Sequence, residues 1–170
     1  TGDYLVIDRK GDLIAYRKSF PLMWPFFFSN YLYAFTCTLF YRAKVVSDLR
    51  YNEEFSAISD MAFVYEMIKR GYKGAYIKRF QAAFTNTVNN LSLMPEVANE
   101  KEKYENENLP FWFSYVRMFF RLFFYVVRFF YGAYYHKGVI RYEVFDESNL
   151  NERKIFFVKK PKWRMPANLV

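Results

Sequence analysis

The sequence predicts an α/β chain that ends in an amphipathic aromatic helix and a β-hairpin tail. Three observations carry this. Strand-like, helical and again strand-like apolar patterns follow one another between Asp3 and Thr85. The stretch from Phe111 to Tyr135 is aromatic and aliphatic, and arginines are its sole charges. The tail then alternates apolar and polar residues on both sides of a polar turn.

Taken in order, "DYLVIDRKGDLIAYR" (Asp3 to Arg17) reads as two short strands around a turn that contains Gly11. "SFPLMWPFFFSNYLYAF" begins as loop because of Pro21 and Pro25, and then becomes aromatic enough for a buried or lipid-touching segment. "TCTLFYRAKVV" (Thr36 to Val46) is β-branched and aromatic, which predicts a buried strand running into a short helix. From Asp60 to Arg70, Met61, Phe63, Val64, Met67 and Ile68 recur at helical spacing. Gly71 ends that helix, with Lys69 and Arg70 in the last turn where the helix dipole favours cations. "GAYIKRFQAAFT" predicts the next strand and completes an α/β unit. "MPEVANEKEKYENENLP" (Met94 to Pro110) holds five acids against two lysines and closes with proline, so it reads as a solvated helix or a linker. The expected organisation is therefore 1–93, an acidic linker at 94–110, an amphipathic helix at 111–135, and a basic hairpin tail at 136–170.

Composition bounds the partners. At 170 residues the chain has room for one domain with a sizeable core, or a domain and an appendage. Its 21 Phe and 16 Tyr exceed what so small a body buries, so some are expected to face a membrane, a partner or further protein. A net charge of +8 favours anionic partners. Cys37 is the one cysteine and His136 the one histidine, which excludes an internal disulfide framework and a Cys/His zinc site. No signal peptide is evident at the start. The chain opens directly on a strand-like run without Met, from which a missing N-terminal portion or a processed start is expected.

In the stretch 111–135, Arg117, Arg121 and Arg128 fall within about 40° of one another on a helical projection. Spanning a bilayer would set a cost of about 8–10 kcal/mol for three arginines against about 4–7 kcal/mol returned by a dozen apolar residues. Lying in the interface suits both faces, with rings in the acyl boundary and arginines on lipid phosphates. Docking of the apolar surface on protein is the plainer alternative. In the tail, Lys159, Lys160, Lys162 and Arg164 surround Trp163, a composition suited to a lipid interface. An ordinary solvated tail has the same composition. No nucleic acid is expected as partner, because no recognition motif accompanies the charge.

With these pieces in order, the chain resembles the C-terminal half of a family 2 glycosyltransferase of the GT-A fold. "TGDYLVIDRKGDLI" looks like the family's "GD…ID..G" strand pair, and "TLFYRAKVV" like its "T.FFR+.L" segment near the acceptor site. "YNEEFSAISDMAFVYEMIKRGYK" looks like "FDE.…DWDL.LRL...G", and "QAAFTNTVNNLSL" like the closing "LA.FR.H..N.S" segment. The match covers about Thr1 to Leu93, the acceptor-side half of such a domain. It implies an inverting sugar transfer from a nucleotide sugar to a hydroxyl of a glycan or a lipid-linked acceptor. Asp60 stands where the family places its general base, and Thr38 and Tyr41 stand on the acceptor side. Asp60 as a simple helix cap remains the bland alternative. Thr85 and Thr87 stand where the family often carries Arg and His. The family's Mg or Mn is held by an Asp-x-Asp pair in the nucleotide-binding half. Asp8 and Asp12 lack that spacing, so no metal is expected on this chain by itself, nor turnover of nucleotide sugar by it. The resemblance and the arginine stripe together imply a peripheral protein on the cytoplasmic face of an anionic membrane. A membrane-surface interaction module with a truncated transferase fold is the alternative without catalysis.

Overall fold

The computed structural model describes residues 1–30, 33–87, 95–145 and 152–165. The fold is mixed α/β. A three-stranded sheet has the order β2-β1-β3, where β1 is Gly2–Ile7, β2 is Leu13–Arg17 and β3 is Ile77–Thr85. β2 runs antiparallel to β1 and β3 runs parallel to it. The central position of β1 accounts for its near-continuous apolar run: a strand covered on both faces has no reason to alternate. The β1–β2 turn depends on Gly11 at φ 89, a left-handed conformation. A Cβ there would meet the Phe156 ring at 3.0 Å.

The two faces of the sheet carry different cover. Leu5, Ile7 and Tyr16 pack with Ile140 and Tyr142 of the C-terminal hairpin, β4 (Ile140–Phe145) and β5 (Arg153–Val158). The residues joining these strands, 146–151, lie outside the described ones. On the opposite face, Tyr4 stacks on Phe35 at 4.9 Å, and Phe35 meets Phe84 edge-on at 4.6 Å. Beyond Phe35 lies the helical part. It comprises α1 (Trp24–Asn30), α2 (Ala43–Asp48), α3 (Ser59–Lys69), α4 (Pro95–Asn108) and α5 (Phe113–Phe130). Met61, Phe63, Val64, Tyr65 and Met67 of α3 form its core with Phe27, Val97, Tyr104 and Phe113. Each such large side chain contributes about 1.5–3 kcal/mol on burial.

One expectation changes. Thr36 to Arg42 holds no strand. Thr36–Thr38 is a 3-10 turn, and the short helix that follows is α2. The Thr38 hydroxyl donates to the Phe35 carbonyl at 2.9 Å, a local bond that competes with sheet pairing. The acidic segment takes the helical one of its two expected forms. Its Val97 and Tyr104 turn into the α3 core, while Glu102 and Glu107 face solvent. Among the described residues no helix is long and apolar enough to cross a membrane.

Candidate active site

Asp60 is not the cap of α3. The helix starts at Ser59, the capping position is Ile58, and Asp60 lies one residue inside the first turn. Its Oδ1 accepts from Met61 N at 2.7 Å. Its Oδ2 accepts from the Thr36 hydroxyl at 2.5 Å. Two rigid elements thus fix a half-exposed carboxylate: the first turn of α3 and the 3-10 turn that packs on the sheet through Phe35. Each carboxylate oxygen keeps a lone pair beyond the bond it already accepts.

The N-terminus of α3 is served by another carboxylate. Glu100 of α4 accepts from Ala57 N at 2.9 Å and from Ile58 N and Ser56 N at 3.2 Å. The Ser56 hydroxyl adds a fourth bond at 3.0 Å. Burial pushes the Glu100 carboxyl up, but these four donors outweigh it and hold it below its ordinary value. Glu100 thus holds the backbone that leads into α3, while Asp60 serves Met61 N within the first turn.

Tyr41 lies beside Asp60, and its ring meets Phe63 edge-on at 5.1 Å. Its hydroxyl is buried, with the Tyr51 hydroxyl as its polar neighbour. Burial, then the neighbouring Tyr51 and Asp60, raise it well above the ordinary phenol range. The side of Tyr41 nearest Asp60 is therefore ring and buried phenol rather than an open hydroxyl. Thr38 is fully buried, with its hydroxyl on the Phe35 carbonyl, so its expected acceptor contact is corrected. The exposed Thr36, two residues earlier, touches Asp60 instead. The motif "TCT" offered two threonines; a strand would have put both on one face, whereas the 3-10 turn separates them.

A cavity of about 610 Å³ opens at the carboxyl ends of β1 and β3, on the hairpin side of the sheet. Arg9, Lys10, Gly11 and Thr85 line it with Lys154 and Phe156. Carboxyl ends of parallel strands are where open α/β sheets take ligands. Asp8 also lines it, but its Oδ1 accepts from Lys10 N at 2.9 Å and Asp12 N at 2.8 Å, and so shapes the turn. Among the described residues no group of three His, Cys, Asp or Glu could hold a metal ion. Residues 88–93 of the closing segment lie outside the described ones, and Thr85 ends β3 in an exposed position.

The residues expected at a membrane are placed in a way the sequence did not convey. Arg117 pairs with Glu105 of α4 at 2.5 Å. Arg128 lies over the rings of Phe124 and Tyr134 at 5.5 and 5.4 Å. Both thus engage protein groups, which the expectation of lipid phosphates did not include, and Arg121 is the well-exposed one of the three. Phe113 and Phe124 are the buried residues of α5, and they fall on the arginine side of the helix. The outward face is Tyr115, Met118, Phe119, Leu122, Phe129 and Phe130, with Tyr115 81% and Phe130 79% exposed. Trp163 packs edge-on against Tyr134 at 4.9 Å, so it too faces protein, while Lys159, Lys160, Lys162 and Arg164 are exposed.

No protein-family model, curated protein or solved structure matches this chain.

Proposed function

We propose that this chain is the acceptor-side portion of an inverting glycosyltransferase that works at a membrane surface. The observation that carries the reading is Asp60, a half-exposed carboxylate fixed by the Thr36 hydroxyl and Met61 N, with a lone pair left on each oxygen. In the reaction, Asp60 accepts the proton of the acceptor hydroxyl as that oxygen bonds to the anomeric carbon. The bond from that carbon to the nucleotide breaks on the opposite side, and the nucleoside diphosphate leaves with the electron pair. Thr36 holds the carboxylate at its angle. The divalent metal such enzymes use would be held by residues outside this chain, and no group described here fits it.

The test is Asp60→Asn in the full transferase. The amide keeps the Thr36 contact but cannot take a proton, so kcat should fall about 10²–10⁴-fold. Thr36→Val should lower kcat less and leave some pH dependence. An Asn variant with near wild-type kcat would remove Asp60 from the mechanism.

The α5 outer face supports the membrane part of the reading, and also the second reading, a membrane-surface module without catalysis. That face is apolar and uncharged, with Trp112 and Tyr135 exposed near its two ends. A charge of +8 opposes packing two copies face to face and favours an acidic lipid surface. Flotation with acidic vesicles should be lost in Phe119→Asp/Leu122→Asp. Failure of the wild type to float would leave the catalytic reading standing and remove the membrane from it.

A further inference from the structure

A smaller cavity lies beneath α5, between that helix and the end of β2. It measures about 230 Å³. Arg17 and Lys18 enter it from one side and Tyr125 and Arg128 from the other, over the rings of Phe20 and Phe124. No carboxylate lines it. Among the described residues, none of the ion pairs involves Arg17, Lys18 or Arg128.

Each cation is held by carbonyls or rings rather than by a paired carboxylate. Arg17 donates to the Trp163 carbonyl. The Lys18 ammonium donates to the carbonyls of Gly132 at 3.1 Å and Tyr135 at 2.7 Å, just beyond the C-terminus of α5. Arg128 lies on its two rings. Asp3, which does not line the cavity, is buried and bound by Ser19 N at 2.9 Å and the Tyr76 hydroxyl at 2.8 Å, and its charge acts on Lys18 but not on Arg17 or Arg128. Desolvation makes it harder for Arg128 to stay charged, and Arg17 beside it acts in the same direction. Like charges gathered in a partly enclosed space cost free energy until a counter-ion joins them. Guanidinium forks match the oxygens of a phosphate in pairs, and a phosphoryl group fits a space of this size.

We propose that this cavity binds a phosphoryl group, held by Arg128, Arg17 and Lys18. The site is independent of the transferase reading, since it uses none of the residues around Asp60. Its ligand has two sources. A soluble phosphate or diphosphate could enter past Tyr125, which is exposed at the lip. A lipid phosphomonoester could enter from the membrane on which the outer face of α5 rests.

The test titrates the full chain with inorganic phosphate and pyrophosphate and follows the melting temperature, with chloride at matched ionic strength as control. A saturable rise is expected with phosphate and not with chloride. Arg128→Gln should weaken it about tenfold to a hundredfold, the loss typical of a charged hydrogen-bond pair. Arg121→Gln, on the same helix but outside the cavity, should leave it unchanged. Arg128→Lys keeps the charge and loses the fork, so it gives an intermediate loss and remains informative if the Gln variant fails to fold. Vesicles distinguish the sources. Preference for phosphatidic acid over phosphatidylglycerol at equal surface charge, competed by inorganic phosphate, assigns a lipid headgroup; equal partitioning with retained phosphate binding assigns a soluble ligand. Absence of any saturable phosphate effect, or equal losses in the Arg121 and Arg128 variants, would overturn the proposal.

Discussion

α3 and α5 carry much of the chain's apolar weight, and they are built the opposite way round. α3 buries Met61, Phe63, Val64 and Met67 and turns Glu66 and Lys69 outward. α5 turns Arg117 and Arg128 inward and leaves Phe119, Leu122, Phe129 and Phe130 outside. Both sequences have the helical period, so the period predicts a helix in each case. It does not predict which face meets the protein. On α3 the hydrophobic effect decides, because Lys69 and Arg70, the partners of Glu66, lie with it on the exposed side. On α5 a carboxylate across the gap, Glu105, and two aromatic rings receive the cations. The remaining apolar surface is then left without cover.

The widest gap between the helices should appear in stability. Phe63→Ala removes a buried ring packed against Tyr41 and Tyr51, at a cost of about 3–5 kcal/mol. Phe129→Ala and Leu122→Ala remove exposed groups and should change stability by no more than about 0.5 kcal/mol. Urea unfolding of the three variants checks this. A large loss from Leu122→Ala would mean that another body covers the outer face of α5 in solution.

A smaller contrast lies within α5. Arg117 and Arg121 are one turn apart, yet Arg117 engages Glu105 and Arg121 is exposed. Arg117→Ala leaves Glu105, whose side chain is 12% exposed, with Lys101 at 3.7 Å as its remaining cation. The expected cost is about 1–2 kcal/mol, after allowance for the exposure of Arg117 itself. Arg121→Ala should cost near zero. Equal losses in urea unfolding would show that the inward turn of α5 does not rest on the ion pair.

Much of the element order was legible, because it rests on local signals. Gly11 and Gly71 mark the turn and the helix end, and both adopt the positive φ that favours glycine. The period of Met61 to Ile68 and the alternation of Ile140 to Phe145 gave α3 and β4 directly. What escaped depends on partners distant in the chain. Thr36 finds Asp60, Glu100 finds the start of α3, and Arg117 finds Glu105. None of these pairings has a sequence spacing that announces it. The β-branched run at Thr36 to Thr38 pointed to a strand, but a hydroxyl bound to its own backbone made a 3-10 turn instead. The bonds of Glu100 to Ala57 and Ile58, which hold the lead-in to α3, were equally invisible in the sequence.

The smallest expected effect concerns how the two helices begin. α5 has no acid in its first turn and no side-chain cap, whereas the start of α3 is held by Glu100 from α4. Burial opposes the charge on Glu100, and the four donors from Ser56, Ala57 and Ile58 more than offset it, so the folded protein holds this carboxyl below its ordinary value. The sign follows from linkage. In the acid range the unfolded chain binds a proton at Glu100 before the folded chain does, so stability rises with pH there. The contribution is complete above the ordinary glutamate range, about pH 4.3, and is lost as pH falls through the lowered folded value. Glu100→Gln should lie below wild type at neutral pH and converge with it in acid, giving a flatter acid limb. Urea midpoints taken from about pH 7 down to about pH 3 measure both limbs. Parallel curves for the two proteins would mean that the four bonds to Glu100 do not discriminate charged from neutral carboxyl. The contrast between the two helix starts would then reduce to geometry.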